Sequence, residues 1–543
     1  MHEIVTLQFG QQSNYLGTHF WNTQESYFTY DSQTESPVDH DVHFRPGIGA
    51  DGSDTFMPRA VIYDLKGAFG SLKKINALYD PLEEAETSAG LWQGTTVPIR
   101  AEPIAPSTYT QHMDAGLEPP QLTPESVRYW SDYSRVYFHP KGLVQLHEYE
   151  LQSRIMPFEA WDAGGELFGE LDKEHDLLDR DLRPFIEECD QLQALQMMTG
   201  VDDAWGGFSS RYAERLRDEF GKLSIWVWAL EDEEKKARDK KLLALTNRAR
   251  SLSALTEQAT AYIPLLDQPS KTPSYLTYSP SSRWHTSALQ AAALESMTLP
   301  SRLKPASQRH TFAEMEAAFN NGGNRRIAEL SMSVADPEAL TARLREEEEA
   351  AEKAREAKMG KPGAGKPPRP SRAYEGLDEE DDENQGARAL DVEFLGIGPE
   401  QVQRGMGGRK KRVHVFGRVD SLRGDWEQAE KIEEQNAKAR DRFAGSKMVQ
   451  RYTTPLLFPH LDSYPPIFRL NSTAATTTRA LAVQASLATS TGITERVRGM
   501  AALVGRTVAL DEREALSNAL QTLREEYEEG WDSELDDSGE DDE

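Results

Sequence analysis

The chain has 543 residues, a formal net charge of -29 and 28% charged residues. That length suffices for two or three domains around a substantial core, and a mean hydropathy of -0.65 says that long polar stretches dilute the folded part. The carboxylate excess argues against general binding to nucleic-acid phosphates, and the single cysteine, Cys189, rules out an intramolecular disulfide and leaves no cysteine-built zinc site.

Residues 3–9 form a short, apolar, β-branched run that predicts a buried strand, ending at Gly10, and residues 14–27 continue with helical character. Residues 32–54, rich in Pro, Gly and Asp, predict a loop, and RAVIYDL at 59–65 predicts a second strand. Residues 94–125 carry many Pro and Thr and predict an irregular connection. Helices are expected over 179–198, with Asp181 as the N-terminal cap, and over 209–220, with a Gly/Asp turn between them. LSIWVWAL at 223–230 is a fully apolar strand candidate, in which Trp226 and Trp228 are read as core packing, and SALQAAALESM at 287–297 reads as a buried helix. Alternating strands and helices predict a mostly parallel sheet covered on both faces. Beyond Asp336 the composition changes: a charged helix-compatible run over 338–358, a Pro/Gly/Lys segment and an acidic block together predict a disordered insertion over 345–388. VHVFGRV at 413–419 resumes the folded pattern, helices are expected at 494–504 and 511–529, and the last residues form an acidic tail.

No apolar run approaches the roughly 18 residues needed to span a bilayer. The N-terminal residues resemble neither a secretory signal nor an Arg-rich transit peptide, and one cysteine fits a reducing compartment. Gly360 to Pro367 nearly spells a phosphate loop, but Pro367 replaces the magnesium-binding hydroxyl, no strand precedes it, and Pro362 and Pro367 prevent a helix from starting. Arg409, Lys410, Lys411 and Arg412 read as a solvated strand edge, His139 and His147 as structural histidines, and Cys189 as an inert thiol in an apolar helix. Gly10, between a strand and a helix, would let backbone amides approach a phosphate at a helix N-terminus.

As a string, MHEIVTLQFGQQSNYLGTHFW resembles the tubulin opening in its E-I-V start, the Gly10-Gln11 pair, Asn14, Gly17, Phe20 and Trp21. The blocks WSDYSRVYFHP at 130–140, DRDLR at 179–183, EECDQLQ at 187–193 and WHTS at 284–287 are similar to those of the Misato family. The resemblance covers most of residues 1–330 and resumes more weakly over 413–529. It implies a tubulin/FtsZ-like Rossmann-type parallel-sheet domain over 1–280, a core helix opening a second domain over 281–344, and a second α/β domain with C-terminal helices over 389–529. The insertion at 345–388 and an acidic tail at 530–543 complete the organisation.

The same resemblance implies a nucleotide site built on Gly10, Gln11, Gln12 and Asn14, with Gly206 and Gly207 left from the second glycine-rich loop, GVDDAWGG at 200–207. Asp202 and Asp203 are expected to face the phosphates, each adding roughly 1 kcal/mol of repulsion in water at about 4 Å and more in a partly buried site. Lys66 stands where tubulins carry an acid near the metal-bound phosphates, Ser282 and Thr286 where they carry the base-contacting groups, and Asn324, Arg325 and Arg326 where they carry the hydrolytic acid. The expectation is therefore a vestigial site with no cofactor, no metal and no GTPase activity; the alternative is a GTP-binding or GTP-hydrolysing, polymer-forming or microtubule- and spindle-associated protein. The resemblance also implies a role in mitochondrial distribution, morphology and mitochondrial DNA inheritance, with cytoskeletal or chaperonin partners. Localisation would be cytoplasmic and at the mitochondrial surface, peripheral or through an internal signal.

Overall fold

The computed structural model describes residues 3–29, 35–48, 54–72, 104–233, 236–269, 272–320, 322–337, 390–395, 414–424, 448–470 and 480–528. The expected insertion, the phosphate-loop look-alike at 360–367, the basic run 409–412 and the acidic tail 530–543 lie outside these residues.

Six strands, β1 (Glu3–Phe9), β4 (Ala60–Lys66), β5 (Leu143–Glu150), β6 (Leu192–Gly200), β7 (Ser224–Glu231) and β8 (Ala261–Leu266), form one sheet in the order β5-β4-β1-β6-β7-β8. Every pairing in it is parallel. Strands buried on both faces need apolar residues at nearly every position, which is why IVTLQF and IWVWAL read as continuous runs. Trp226 and Trp228 are both fully buried, and the Trp226 indole N–H donates to Glu316 at 2.6 Å. A small antiparallel hairpin, β2 (Phe44–Ile48) with β3 (Asp54–Pro58), occupies part of the stretch expected to be loop.

One face of the sheet is covered by α3 (Trp161–His175), α5 (Ala204–Glu219) and α6 (Arg238–Gln258); α1 (Gly10–Glu25) and α7 (Arg283–Thr298) cover the other. Shorter helices are α2 (Thr108–Asp114), α4 (Arg183–Ile186) and α8 (Phe312–Phe319). Every residue of α7 from Thr286 onward is buried, because it is sandwiched between α1 and a second, mixed sheet. That sheet runs β10 (Val392–Glu393), β9 (Glu329–Ala335), β14 (Ala480–Ser490), β11 (Val415–Arg423) and β12 (Met448–Thr454), with β13 (Phe458–Pro459) pairing β14. The pair α9 (Gly492–Thr507) and α10 (Leu510–Glu526) packs back onto α6.

The block at 130–140 clamps α1. Asn22 donates its amide to the Tyr133 carbonyl and accepts the Arg135 amide, both at 2.8 Å, while the Tyr133 hydroxyl donates to the Tyr15 carbonyl at 2.9 Å.

Three expectations are corrected. The segment expected as a helix over 179–198 is helical only over Leu178–Leu182 and Arg183–Ile186; Leu192–Gly200 is the central strand β6. Leu, Gln, Ala and Met favour helices, but a site between β1 and β7, buried on both faces, overrides a preference of a few tenths of a kcal/mol per residue. Asp181 is not a cap: it lies inside the helical turn and accepts the Tyr63 hydroxyl at 2.7 Å. Cys189 follows α4 in a turn, its thiol donating to the Phe185 carbonyl at 3.2 Å, and burial pushes it up to about 11, so the thiol stays protonated and unreactive.

Candidate functional site

Ligands of parallel α/β sheets sit beyond the carboxyl ends of the strands. Here those ends bring together Gly10 after β1 and the loop Gly200, Val201, Asp202, Asp203 after β6. Gly10 has φ +82°, a conformation that side-chain-bearing residues rarely adopt, and it opens α1 directly. The space against its Cα is filled: a Cβ at Gly10 would overlap the indole ring of Trp205. That indole is only 4% exposed, and it packs edge-on against Phe158 (centroids 5.2 Å apart) and against Phe208 (5.7 Å).

Asp203 is the N-cap of α5 and accepts the backbone N–H of Trp205 at 2.9 Å. An amide that a helix N-terminus could offer to an anion is thereby used within the chain. The carboxyl is half-buried beside Gln12 at Gly200. Burial pushes it up to about 7, with the Trp205 amide pulling against that and the neighbouring Asp202 adding to it. Asp202 does not face this space, contrary to expectation. It turns instead onto the buried Arg248 of α6, with the guanidinium Nε 2.8 Å from one carboxylate oxygen, and it accepts the Asp232 amide at 2.6 Å. Arg248 also pairs with Glu231 at 3.1 Å and Glu233 at 2.9 Å, and Glu231 is paired in turn with Arg496 of α9. The loop is thus wired through buried charges to the C-terminal helices.

Gly206 and Gly207 lie within the first turn of α5 rather than in an open loop. A Cβ at Gly206 would overlap the Ser251 hydroxyl of α6, and one at Gly207 the Trp161 carbonyl at the start of α3; a Cβ at Gly164 of α3 would overlap the Ala204 carbonyl. These glycines let three helices approach closely. Gly207→Ala is accordingly expected to destabilise the fold by about 1–3 kcal/mol through overpacking, read from the urea midpoint.

Gln11 and Asn14 point behind the loop, at Asp64. The Gln11 amide donates to its carboxylate at 2.6 Å and the Asn14 amide at 2.7 Å; Gln8 donates to Asn14 at 3.1 Å and accepts the Trp21 indole at 2.7 Å. Asp64 is fully buried, and desolvation pushes it up to about 6 against the hydrogen bonds it accepts. Sequence reasoning missed this hub, although polar residues at 8, 11 and 14, recurring every three positions beside an otherwise apolar strand, were a usable signal.

The other expected positions do not join the site. Lys66 is exposed at the end of β4, Ser282 precedes α7, and Thr286 is buried within it. Arg325 donates to the Glu526 carbonyl at 3.1 Å and stacks on Phe416 at 3.8 Å, while Arg326 holds the Thr256 and Glu257 carbonyls at the end of α6. Among the described residues, no group of three or more His, Cys, Asp or Glu stands where it could hold a metal ion. His139 accepts the Lys141 amide at 3.2 Å, and burial holds it down to about 4, neutral at physiological pH.

The Asp203 carboxyl sets a pH dependence. Its folded value lies above the ordinary range, so the folded state keeps the proton more tightly. Its stabilising contribution is complete below about pH 4 and is lost as pH rises through about 7. Asn caps helices as well as Asp does. Asp203→Asn is therefore expected to match the parent protein near pH 4 and to be the more stable of the two near pH 8, by on the order of 1 kcal/mol after allowing for solvent screening. Urea midpoints of both proteins across that range check it.

A six-stranded parallel sheet opened by strand, glycine and helix, a buried core helix and a second mixed sheet define a tubulin-like α/β protein. The Misato Segment II tubulin-like domain matches residues 2–115, and a tubulin domain matches residues 119–303. Protein DML1 of Phaeosphaeria nodorum is 50% identical over 98% of both chains, and Protein dml-1 of Neurospora crassa 46% identical over 100% of both. Protein dml1 of Schizosaccharomyces pombe is 33% identical over 56% of this chain and 66% of its own. The chain belongs to the Misato/DML1 family of tubulin-like proteins.

Proposed function

We propose that this protein keeps the tubulin fold for its surfaces rather than for nucleotide chemistry, and that it serves mitochondrial distribution, morphology and mitochondrial DNA inheritance through protein partners. The observation that carries the first part is the Trp205 indole against Gly10, in the place where a phosphate would have to approach the backbone. The Asp203 cap supports it, because the α5 amide that would meet an anion is taken by a carboxylate. The mitochondrial role rests on family membership, and the partners are cytoskeletal or chaperonin components. In this reading association with the organelle is peripheral, through those partners. No helix among the described residues is long and apolar enough to cross a membrane.

The test is a calorimetric titration of the purified chain with GTP and GDP, with and without magnesium, beside a GTP-hydrolysis assay. No saturable binding up to about 1 mM nucleotide is expected, which places any affinity weaker than about -4 kcal/mol. Micromolar binding would make the GTP-binding, polymer-forming reading the leading one; the observation in its favour is the retained strand–glycine–helix opening, with Gly10 at φ +82°. Depletion in cells, followed by imaging of mitochondria and measurement of their DNA content, tests the second part. Unchanged mitochondria would overturn it.

A further inference from the structure

Between α2 and the clamp at 130–140 the chain crosses the surface as a strip, residues 117–123, that belongs to no helix, strand or turn. Both of its ends are fixed. At the entry Gly116 takes φ +66°, the Leu117 amide donates to the His112 carbonyl at 2.8 Å, and the His112 ring lies 2.9 Å from the Glu118 carbonyl oxygen. At the exit the Thr123 amide donates to the Ser126 hydroxyl at 2.9 Å, and the Ser126 amide returns to the Thr123 carbonyl at 3.0 Å. Between these anchors, residues 119–122 make no hydrogen bond with a described residue.

The sequence dictates what such a strip does. Proline holds φ near -65°, and the residue before a proline is pushed out of the α region toward extended and polyproline geometry. Glu118, Pro119 and Thr123 each precede a proline. A backbone so restricted and without partners winds as a left-handed polyproline helix of three residues per turn. The burial follows that period. Pro119 is half-buried and Leu122, three places on, is 5% exposed and joins the core, while Glu118 and Gln121 are both exposed. Leu117, 58% exposed, shares its side with Pro120. The outward ridge is thus preformed rather than loose.

Its charge is acidic at the Leu117 end. Residues 104–127 hold Asp114, Glu118 and Glu125, all exposed, and no Lys or Arg. Arg128, next in the chain, is taken by Asp132 at 3.1 Å and by the Ala105 carbonyl at 2.8 Å. Glu125 acts on the half-buried His285 and so lies toward the exposed Arg283, which offsets it. Asp114 and Glu118 make no ion pair with a described residue, and Asp114 acts on the exposed Tyr137 ring.

We propose that Leu117–Gln121 is a docking ridge for a partner domain whose aromatic-lined groove recognises polyproline helices, with cations on the groove's rim meeting Asp114 and Glu118. This rests on the reading above, in which the protein acts through protein partners, and gives their recognition chemistry. Aromatic rings fit the faces of proline, and a backbone already held in the bound conformation loses little entropy on docking. A sheet edge fits worse, because Pro119 and Pro120 have no amide to give an added strand. Nucleic acid fits worse too, since the acids repel its phosphates. The ridge is short, so the contact is a weak and exchanging one.

Calorimetric titration of the full chain with three purified polyproline-groove domains, one each of the SH3, WW and EVH1 types, tests this. At least one is expected to bind with a Kd roughly in the tens of micromolar, more weakly as salt rises. Leu117→Asp should weaken that binding by on the order of tenfold with an unchanged thermal midpoint, since most of its side chain is in water. Pro119→Ala/Pro120→Ala should weaken it similarly by loosening the backbone. Failure of all three domains to bind overturns the proposal, as does binding that both variants leave unchanged. Tighter binding by Glu118→Lys would overturn the role given to the cations. Binding that holds while depletion leaves mitochondria unchanged would overturn the cellular role and leave this ridge standing.

Discussion

Replacing Glu295 with alanine is expected to destabilise the protein by about 3–5 kcal/mol. Glu295 lies in α7, has no exposed surface, and joins three parts of the fold. Arg302, just beyond α7, donates to one carboxylate oxygen at 2.7 Å, Tyr27 after α1 donates to the same oxygen at 2.9 Å, and Arg423 at the end of β11 pairs with the other oxygen. Arg423 also donates to Tyr27 at 2.7 Å and to the Leu457 carbonyl at 2.8 Å. Truncation leaves two guanidiniums, both with at most 1% exposed side-chain surface, facing each other without their counter-ion. Burial alone would push the Glu295 carboxyl up, but Arg423 and Arg302 outweigh it and hold the group below its ordinary value. The sign follows: the stability this group contributes is present above the ordinary carboxylate range and fades as pH falls below it. Glu295→Gln keeps the shape and one acceptor oxygen and should fall between parent and alanine variant. Urea unfolding of all three near pH 7 decides the matter. A loss under about 1 kcal/mol for alanine would mean that water replaces the carboxylate, and that this junction does not hold the two sheets together.

The elements legible in the sequence were those whose burial is written as unbroken apolar character. IVTLQF, RAVIYDL and LSIWVWAL are strands, and the Ala- and Leu-rich run after Trp284 is the core helix α7, because few other residues tolerate being enclosed on every side. α6 was not legible, for the converse reason. Its sequence, RDKKLLALTNRARSLSALTEQ, is polar on average, yet Asn247, Arg248 and Ser251 are buried. They are inward-facing because their partners are fixed in place: Asp202 for Arg248, the Asp202 carbonyl for Asn247, and the Cβ-less Gly206 for Ser251. The site shows the same division. Residue types at 10–14 and 200–207 marked the two segments that meet at the carboxyl ends of β1 and β6. The direction of each side chain did not follow, since it depends on residues far along the chain, such as Arg248, 46 positions from Asp202. Asp202→Gly, which looks from sequence like a repair of the loop, removes the buried partner of Arg248 and would unfold more than it opens.

Trp205→Ala is expected to destabilise the protein by about 3–5 kcal/mol, since a nearly buried indole is lost from its contacts with Gly10, Phe158 and Phe208. It also opens the space against Gly10 that the indole now fills, yet by itself it is not expected to confer nucleotide binding. Opening the space hydrates Asp203, whose carboxyl then returns toward its ordinary range and is ionised at neutral pH, while its oxygen keeps the α5 amide. At about 4 Å from a phosphate that charge adds roughly 1 kcal/mol of repulsion in water and several times more where water is partly excluded. Trp205→Ala/Asp203→Gly removes the plug and the charge together and frees the amide, at the cost of a further few tenths of a kcal/mol for the exchanged cap. Titration with GDP and magnesium should therefore show no binding for the parent and the single variant, and weak saturable binding for the double variant. Binding by Trp205→Ala alone would assign the whole block to the indole. No binding by a folded double variant would mean that Gln11 and Asn14, committed to Asp64, have withdrawn from the site as well. The nucleotide chemistry would then have been lost from both sides of the cleft while Gly10 and the packing glycines of α5 kept the fold in place.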